Sequence, residues 1–455
     1  MSMINSCPEC HHKDEQIIRL QEELARVKGK LRYQERTARE GFFGSSTPSS
    51  KVPAKANTPG REKKPRGGKL GHAGHGRPGV DGFEARRVED ISAELPKTCP
   101  GCGGALESKG EVERLALESR PVRAERVVYR QAKGWCPHCR KTFRSPIPLL
   151  PKSLLGNQLC ANAVELHYAQ GMPLLRVSEE LGVEASSLAA MFQRLARLFS
   201  PVRRRLIEEY RAAPVRHADE TGWRSEGQNG YAWLFATPQL SLFEFRETRS
   251  GQVAREILGE TPLPGVLVVD RYGGYNKVPC ALQYCYAHLL RDVQDCEKEF
   301  PEEPEVKAFV ATVAPLLALA MGLRNQLITD AEFQRRAQEV KSQIEAAMHS
   351  EARHSAVHYI QGIFREHEAR LYHWARDRTV PAENNLSERD LRPTVIARKV
   401  SHGSQSAEGR QTRGILGSVV ATMRKRGLEV TDRLKWVLDQ LAADITQAPY
   451  PLLFS

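Results

Sequence analysis

The sequence lacks the features expected of a membrane-bound or secreted protein. No apolar run among its 455 residues reaches the length of a membrane span, and the N-terminus has no apolar signal-peptide region. We therefore expect a cytoplasmic protein without a membrane partner. The hydrophobic fraction of 40% is ordinary for a soluble chain, and the length predicts more than one domain.

Acidic residues are too few to balance the basic ones, which leaves a formal net charge of +12. This excess favours an anionic polymer such as DNA or RNA as partner, although charge alone indicates only non-specific attraction. The sequence also has no serine or tyrosine motif that would form a covalent intermediate with a substrate.

Cysteine usage indicates metal binding. Six of the ten cysteines form three Cys-x-x-Cys pairs, a spacing that in a cytosolic chain favours metal over disulfide. Two pairs flank a 33-residue segment and can complete a closed tetrahedral Zn²⁺ site with a structural role. The predicted ligands are Cys99, Cys102, Cys136 and Cys139. For the third pair, Cys7 and Cys10, both a metal site and a Cys-rich terminus without metal stay open.

The N-terminal part indicates assembly and flexibility. A heptad seam predicts a short coiled coil that supports self-association, or else a helix packed on its own chain. The seam residues are Ile17, Leu20, Leu24, Val27 and Leu31. Between Lys51 and Arg77, eight basic residues accompany one acid, which predicts a flexible basic linker along a phosphate backbone, or a solvated tether.

A helical stretch follows the cysteine pairs, between which Arg126 to Tyr129 is expected to be a strand. From Arg176 onwards the pattern is typical of a helix-turn-helix, with a first helix ending at Leu181-Gly182 and a second starting at Ser186 or Ser187. Such a second helix can enter a DNA major groove, although the loose pattern also fits an ordinary helical hairpin.

The stretch Gly265 to Tyr275 carries the first catalytic candidate. Val266 to Val269 predicts a buried strand that ends at Asp270, and Val215 onwards predicts another strand that carries Asp219. Tyr231 to Ala236 and Leu240 to Phe245 predict two more strands, and Gln252 to Leu258 predicts a helix. We expect the two aspartates to lie side by side in a mixed α/β core.

A third carboxylate comes late in the chain. Asn384 or Asn385 is expected to cap a helix with Glu388 in its first turns. Three carboxylates around one point repel each other unless cations neutralise them. Their hard oxygens select Mg²⁺ or Mn²⁺, and two such ions can activate a nucleophile at phosphorus.

Together these motifs resemble the DDE transposases of bacterial insertion sequences, specifically the IS66 group. The matching segments are His217-x-Asp219-Glu-Thr-x-Trp223, Asp270-x-Tyr272-x-x-Tyr275, Cys285-x-x-His288, Asn384-Asn385-x-x-Glu388-Arg-x-x-Arg392-Pro393, and Arg398-Lys399. The order of coiled coil, basic linker and paired cysteine knuckles is also similar to that group, so the resemblance covers nearly the whole chain.

The resemblance implies an RNase H-like core with Asp219, Asp270 and Glu388 as catalytic, Mg²⁺-binding carboxylates. Glu383 is the alternative for the third position. The resemblance further implies that a Cys-x-x-His pair lies near the second aspartate, either as a buried structural pair or with a direct role. Its members are Cys285 and His288, and the basic residues expected to hold DNA phosphates are Arg389, Arg392, Arg398 and Lys399.

The resemblance also implies a function. The enzyme would bind the ends of its own element, hydrolyse a phosphodiester with two metal ions, and join the released 3′-hydroxyl to target DNA. We expect a homo-oligomer, and the resemblance suggests accessory proteins encoded by the same element. The alternatives are a non-catalytic, sequence-specific DNA-binding protein derived from a transposase, and a generic nuclease of the same fold.

The predicted fold class is multidomain α+β, with an RNase H-like mixed α/β core that contains a helical insertion. The predicted order is a coiled coil with a Cys-rich start (1–40), a basic linker (41–80), a zinc-binding module (81–150), a helix-turn-helix-like region (151–213), the first part of the core (214–300), the insertion (301–380), and the rest of the core with C-terminal helices (381–455).

Overall fold

A computed structural model of the chain describes residues 122–130, 132–136, 140–144 and 147–455, and six helical residues between 16 and 27. The described residues from 123 onwards belong to one compact unit. Several predictions concern positions outside the described residues: the linker 41–80, and the zinc ligands Cys99, Cys102 and Cys139, together with Cys7 and Cys10. Only the backbone of Cys136 is described.

Three residues of the heptad seam lie on a helix with their side chains more than half exposed. They are Leu20, Leu24 and Val27. Helix formation agrees with the seam, whereas pairing of two such helices stays a prediction.

Cys136, the first cysteine of the second knuckle, ends one strand of an antiparallel pair. Strands β1 (Lys133–Cys136) and β2 (Lys141–Arg144) are antiparallel, and Arg140 in the turn has a φ of +53°. The strand predicted at Arg126 to Tyr129 is wrong, because residues 122–130 are irregular and exposed. The β-branched residues there have no described partner strand, and β propensity without pairing does not sustain a strand.

Helices precede the sheet. They are α1 (Asn157–Val164), which continues into a π-helical turn at Glu165–Ala169, α2 (Leu174–Leu181), α3 (Ala185–Phe199) and α4 (Val202–Ala212). Gly182 ends α2 in the left-handed conformation, with φ +68°, as a helix C-terminus favours. The predicted pair of helices is therefore present, with the second starting one residue before Ser186.

A five-stranded mixed sheet forms the centre of the unit. Its strands are β3 (Val215–Ser225), β4 (Gln228–Thr237), β5 (Leu240–Arg246), β6 (Val266–Val269) and β7 (Ala281–Tyr284), in the order β5-β4-β3-β6-β7. The first three strands form an antiparallel meander, and β6 and β7 run parallel to β3. Helix α5 (Gln252–Leu258) precedes β6, within the bounds that the sequence predicted.

The remaining helices follow β7. They are α6 (Tyr286–Glu299), α7 (Pro304–Leu323), α8 (Asp330–His349), α9 (Ser355–Glu366), α10 (His373–Arg376), α11 (Asn385–Ser401), α12 (Ala407–Lys425), α13 (Val430–Ala443) and α14 (Pro449–Phe454). Helices α7 to α10 fall in the range expected for a helical insertion.

Helices α11 and α12 cover one face of the sheet. Helix α11 packs on β3 and β4, and α12 packs on the edge strand β5. The backbone N–H groups of Ser241 and Phe243 in β5 donate to the hydroxyls of Thr422 and Ser418, at 3.2 and 2.8 Å. These bonds satisfy donors that an edge strand would otherwise leave unpaired.

Helix α7 corrects the expectation that no apolar run could span a membrane. Among the described residues, α7 is a helix whose length and apolar composition alone would allow it to span a membrane. It packs against α6 and α8, and its inward residues, which include Val306, Val313, Leu317 and Leu323, are fully buried. Packing in the protein core therefore accounts for its apolar composition.

Candidate active site

The register of the central strands aligns the two predicted aspartates. His217 of β3 pairs with Val268 of β6 in the parallel ladder. Two residues further along each chain come Asp219 and Asp270, so the register brings them to equivalent positions in neighbouring segments. Both residues are partly buried.

The acidic pair Asp219-Glu220 is divided between the two faces of the sheet, because successive side chains of a strand alternate. The cross-strand neighbour of Asp219 is Leu234, which belongs to the apolar cluster under α11. The neighbour of Glu220 is Trp233, whose ring contacts Tyr275 on the other side. Only Asp219 therefore shares a face with α11.

Glu220 is held in a buried network. Its side chain is 1% exposed, and Arg249 Nη2 lies 2.7 Å from Oε1, while the Tyr275 hydroxyl donates to Oε2 at 2.6 Å. The Arg249 guanidinium also stacks on Tyr272, 4.2 Å from the ring centre. Burial and the charge of Asp270 raise the pKa of Glu220, and Arg249 opposes that rise. Glu220 thus has an internal ion pair and lies away from α11.

The local backbone orients both aspartates. Asp219 Oδ1 accepts from the N–H of Glu220 at 2.8 Å, and Asp270 Oδ1 accepts from the N–H of Tyr272 at 2.9 Å. Within the part of the chain that the structure describes, neither Oδ2 accepts a hydrogen bond. Each carboxylate therefore offers an oriented oxygen to a further ligand.

The charge of Glu388 acts on Asp219. Burial raises the pKa of Asp219 well above its ordinary value, and the charges of Glu220, Asp270 and Glu388 raise it further. Mutual repulsion of this kind is what a bound divalent cation relieves. The carboxylate oxygens of Asp219, Asp270 and Glu388 are of the ligand type that Mg²⁺ or Mn²⁺ prefers.

Glu383 has a different environment. Burial raises the pKa of its side chain, and Arg324 is the charged neighbour that opposes the rise. Its Oε2 atom is buried and has no hydrogen-bond partner within the described ranges of the chain. The charge of Glu388 is thus among those that raise the pKa of Asp219, whereas that of Glu383 is not among them.

Asn384 connects the segments that carry these carboxylates. Its side chain was expected to cap a helix, but α11 begins at Asn385 without a side-chain cap. Instead, Asn384 Nδ2 donates to the carbonyl of Ala218 at 2.9 Å, and Oδ1 lies 2.9 Å from His217 Nδ1. The Asn384 N–H donates to Cys285 Sγ at 3.2 Å. One buried residue thus links β3, the β7–α6 junction and the start of α11.

The tautomer of His217 follows from this network. Burial lowers the pKa of His217 to about 4, so the ring is neutral at pH 7. Because Asn384 uses its amide nitrogen for Ala218, its oxygen must accept, and His217 Nδ1 must carry the proton. The hydrogen bond therefore fixes the ring as well as the amide.

The predicted Cys-x-x-His pair meets Glu388. Potential ligand atoms of Cys285, His288 and Glu388 all lie within 4.8 Å of one another. Cys285 is buried, and burial raises the pKa of its thiol to about 11. Nδ1 of His288 is buried and has no hydrogen-bond partner among the residues that the structure describes.

The predicted DNA contacts divide into two groups. Arg389, Arg392 and Lys399 are exposed on α11. Arg398 differs from the expectation, because it is 5% exposed and its Nη1 donates to Thr221 Oγ1 at 2.9 Å and to the carbonyl of Gly222 at 2.6 Å. Arg398 thus joins α11 to β3 and is withdrawn from solvent.

Two contributors were missed by the sequence reasoning. No motif singled out Arg249, whose partners lie 29 and 23 residues away along the chain. Asn384 was identified as one of two possible helix caps and as part of the Asn384-Asn385-x-x-Glu388 motif, but not as a partner of His217 and Ala218. The Asn-Asn pair was a signal for a further role, because a helix needs only one cap residue and the second asparagine is then left unexplained.

Comparison with known proteins agrees with the predicted family. Residues 152–412, more than half of the chain, match the model of the "Transposase IS66 family", and residues 96–140 match the "zinc-finger binding domain of transposase IS66". Two uncharacterized proteins of Sinorhizobium fredii (strain NBRC 101917 / NGR234) are each 24% identical to this chain. The alignment with y4jD spans 402 residues, 79% of this chain and 78% of y4jD, and that with y4qI spans 414 residues, 79% and 74%.

Proposed function

Because the chain belongs to the IS66 transposase family, we propose that it is a DDE transposase with an RNase H-like core. In this proposal Asp219, Asp270 and Glu388 hold two Mg²⁺ or Mn²⁺ ions. The observation that supports it is that the charges of Asp270 and Glu388 both raise the pKa of Asp219, with Asp219 and Asp270 on adjacent parallel segments and Glu388 on α11.

The chain's own residues would position the reaction. When bound, two such ions activate the attacking oxygen and stabilise the leaving oxygen at phosphorus. Backbone amides orient Asp219 and Asp270, and Asn384 fixes the helix start from which Glu388 projects. Water would attack in the cleavage step and a DNA 3′-hydroxyl in the joining step, so no protein nucleophile is required.

Other parts of the chain would bind DNA and organise the complex. Arg389, Arg392 and Lys399 would contact phosphates from the exposed side of α11. Helix α3 would read DNA as the second helix of a helix-turn-helix, and the N-terminal seam would support a homo-oligomer. The match to the zinc-finger domain contains all four predicted ligands of a structural Zn²⁺ ion, Cys99, Cys102, Cys136 and Cys139.

The proposed enzyme would act in the cytoplasm on the ends of its own insertion sequence. The test is cleavage and strand transfer by the full-length protein with Mg²⁺, on labelled DNA that carries such an end. Asp270→Asn is the test variant, and Asp432→Asn, at an exposed aspartate of α13, is the matched control.

The expected result is cleavage and joining by the parent and the control, and DNA binding without either step by Asp270→Asn. Cleavage by Asp270→Asn at the parent rate would overturn the assignment of the carboxylates. Cleavage without joining would favour a nuclease. Binding without cleavage by the parent, even after addition of the element's other gene products, would favour a non-catalytic DNA-binding protein.

A further inference from the structure

The starts of helices α6 and α11 lie close together at Glu388. Cys285 precedes the first residue of α6, and His288 is the third residue of that helix. Glu388 lies in the first turn of α11. Potential ligand atoms of the three side chains lie within 4.8 Å of one another, although the residues come from segments about one hundred positions apart.

The cluster contains one buried polar atom without a partner among the described residues, and one that already has hydrogen-bond donors. Nδ1 of His288 is buried and makes no hydrogen bond in the described part of the chain. A buried nitrogen without a partner costs free energy, so its retention calls for an explanation such as an ion. Cys285 Sγ already accepts the N–H of Asn384 at 3.2 Å, which is an outer hydrogen bond of the kind that supports a thiolate ligand.

The spacing is close to that of a coordinated ion. Zinc binds sulfur at about 2.3 Å and nitrogen or oxygen at about 2.0–2.2 Å, so tetrahedral ligand atoms lie roughly 3.5 Å apart. Atoms already within 4.8 Å of one another need to converge by about 1 Å, which side-chain rotation can supply.

The ligand types distinguish this cluster from the carboxylate group. Sulfur and imidazole favour zinc-class ions over Mg²⁺, which prefers oxygen ligands. We propose that Cys285, His288 and Glu388 form a separate site for a zinc-class divalent ion, with a fourth position for water, and that this site shares Glu388 with the catalytic carboxylates.

Sharing Glu388 has a regulatory consequence, which rests on the proposed function. An ion held by Cys285 and His288 would draw the Glu388 carboxylate towards α6. Glu388 could not then complete the Mg²⁺ site with Asp219 and Asp270. Zinc-class ions would therefore inhibit Mg²⁺-dependent cleavage at concentrations that fill this site.

The binding test counts zinc per chain by equilibrium dialysis of the full-length protein, followed by elemental analysis. The variants are Cys285→Ser and His288→Gln. The matched control is Cys280→Ser, because Cys280 is a free thiol at the opposite end of β7 that does not belong to the cluster. The predicted zinc-finger site is intact in every variant and provides a common baseline.

The parent and Cys280→Ser should each bind one more zinc equivalent than the two cluster variants. If the cluster variants still bind zinc at this site, their affinity should be at least about tenfold weaker. Far-ultraviolet circular dichroism checks that each variant is folded. His288 is partly exposed, so its replacement should disturb the fold less than replacement of the buried Cys285. Equal zinc content in the parent and a folded His288→Gln protein would overturn the proposal.

A second arm measures the ratio of cleavage with and without added Zn²⁺ at constant Mg²⁺. The parent should be inhibited, and His288→Gln should lose most of that inhibition. If the parent shows no cleavage at all, the proposed function fails while the zinc count still decides the site. If zinc binds but inhibits parent and His288→Gln equally, sharing of Glu388 is refuted.

Discussion

Replacement of Asn384 by alanine should weaken both the fold and the chemistry, because this residue links three segments of the site. The carboxamide is 1% exposed and bonds to His217 and to the carbonyl of Ala218. Truncation leaves one buried donor and one buried acceptor without partners, at about 1–3 kcal/mol each. We therefore expect the free energy of unfolding to fall by about 2–6 kcal/mol.

The effect on cleavage should exceed what the lost stability explains. The carbonyl of Asn384 accepts from the N–H of Glu388 at 3.3 Å, so the two residues belong to the same first turn. A displacement of about 1 Å at Glu388 would lower the cleavage rate about 100-fold. Urea unfolding gives the stability change, and single-turnover cleavage with Mg²⁺, under conditions where the variant is folded, gives the rate change.

Asn385→Ala is the matched control, because Asn385 is the next residue and is exposed. It should change the unfolding free energy by no more than about 0.5 kcal/mol and leave cleavage nearly unchanged. If Asn384→Ala behaves like Asn385→Ala in both assays, the network does not position Glu388 and the reasoning is refuted.

Three further predictions follow from other contacts. Glu388→Gln should abolish Mg²⁺-dependent cleavage, whereas Glu383→Gln should retain it; the opposite pattern would reassign the third carboxylate. Tyr275→Phe removes the hydroxyl that donates to Glu220 and should lower the unfolding free energy by about 1–3 kcal/mol in urea titrations; an unchanged midpoint would contradict this. Burial lowers the pKa of His167 to about 3, so its neutral ring stabilises the fold above pH 6.5, and this contribution is lost as pH falls towards 3. Stability curves should therefore lose up to about 1.4 kcal/mol per pH unit in that window, and His167→Gln should lack this share of the slope.

Local pattern was sufficient for four of the five strands of the central sheet, β3 to β6, and for the positions of the two aspartates. The apolar run before Asp270 specified β6, and the bounds of α5 followed from its own sequence. The environments of the polar residues could not be predicted, because their partners are distant along the chain. Glu220, for example, follows Asp219 directly in the sequence, but its partners Arg249 and Tyr275 lie on the opposite face of the sheet.

The strand expected at Arg126 to Tyr129 failed for a related reason. Its β-branched residues matched the local propensity, but a strand exists only where a neighbour pairs with it, and the sequence does not reveal that neighbour. The same limit applies to Arg398, which the resemblance grouped with Lys399. One of these adjacent cations is buried against β3 and the other is exposed, and only the orientation of the helix decides between them.

Helix α11 explains how DNA binding and catalysis would be coupled in the proposed enzyme. Its inward side includes Leu391 and Arg398, which pack on the sheet and bond to β3. Its exposed side carries Arg389, Arg392 and Lys399, at the spacing of three and seven residues that keeps side chains on one helical face. DNA phosphates bound to this face would contact the same helix that carries Glu388. Correct binding of the DNA strand and correct placement of the third carboxylate would therefore require the same position of α11.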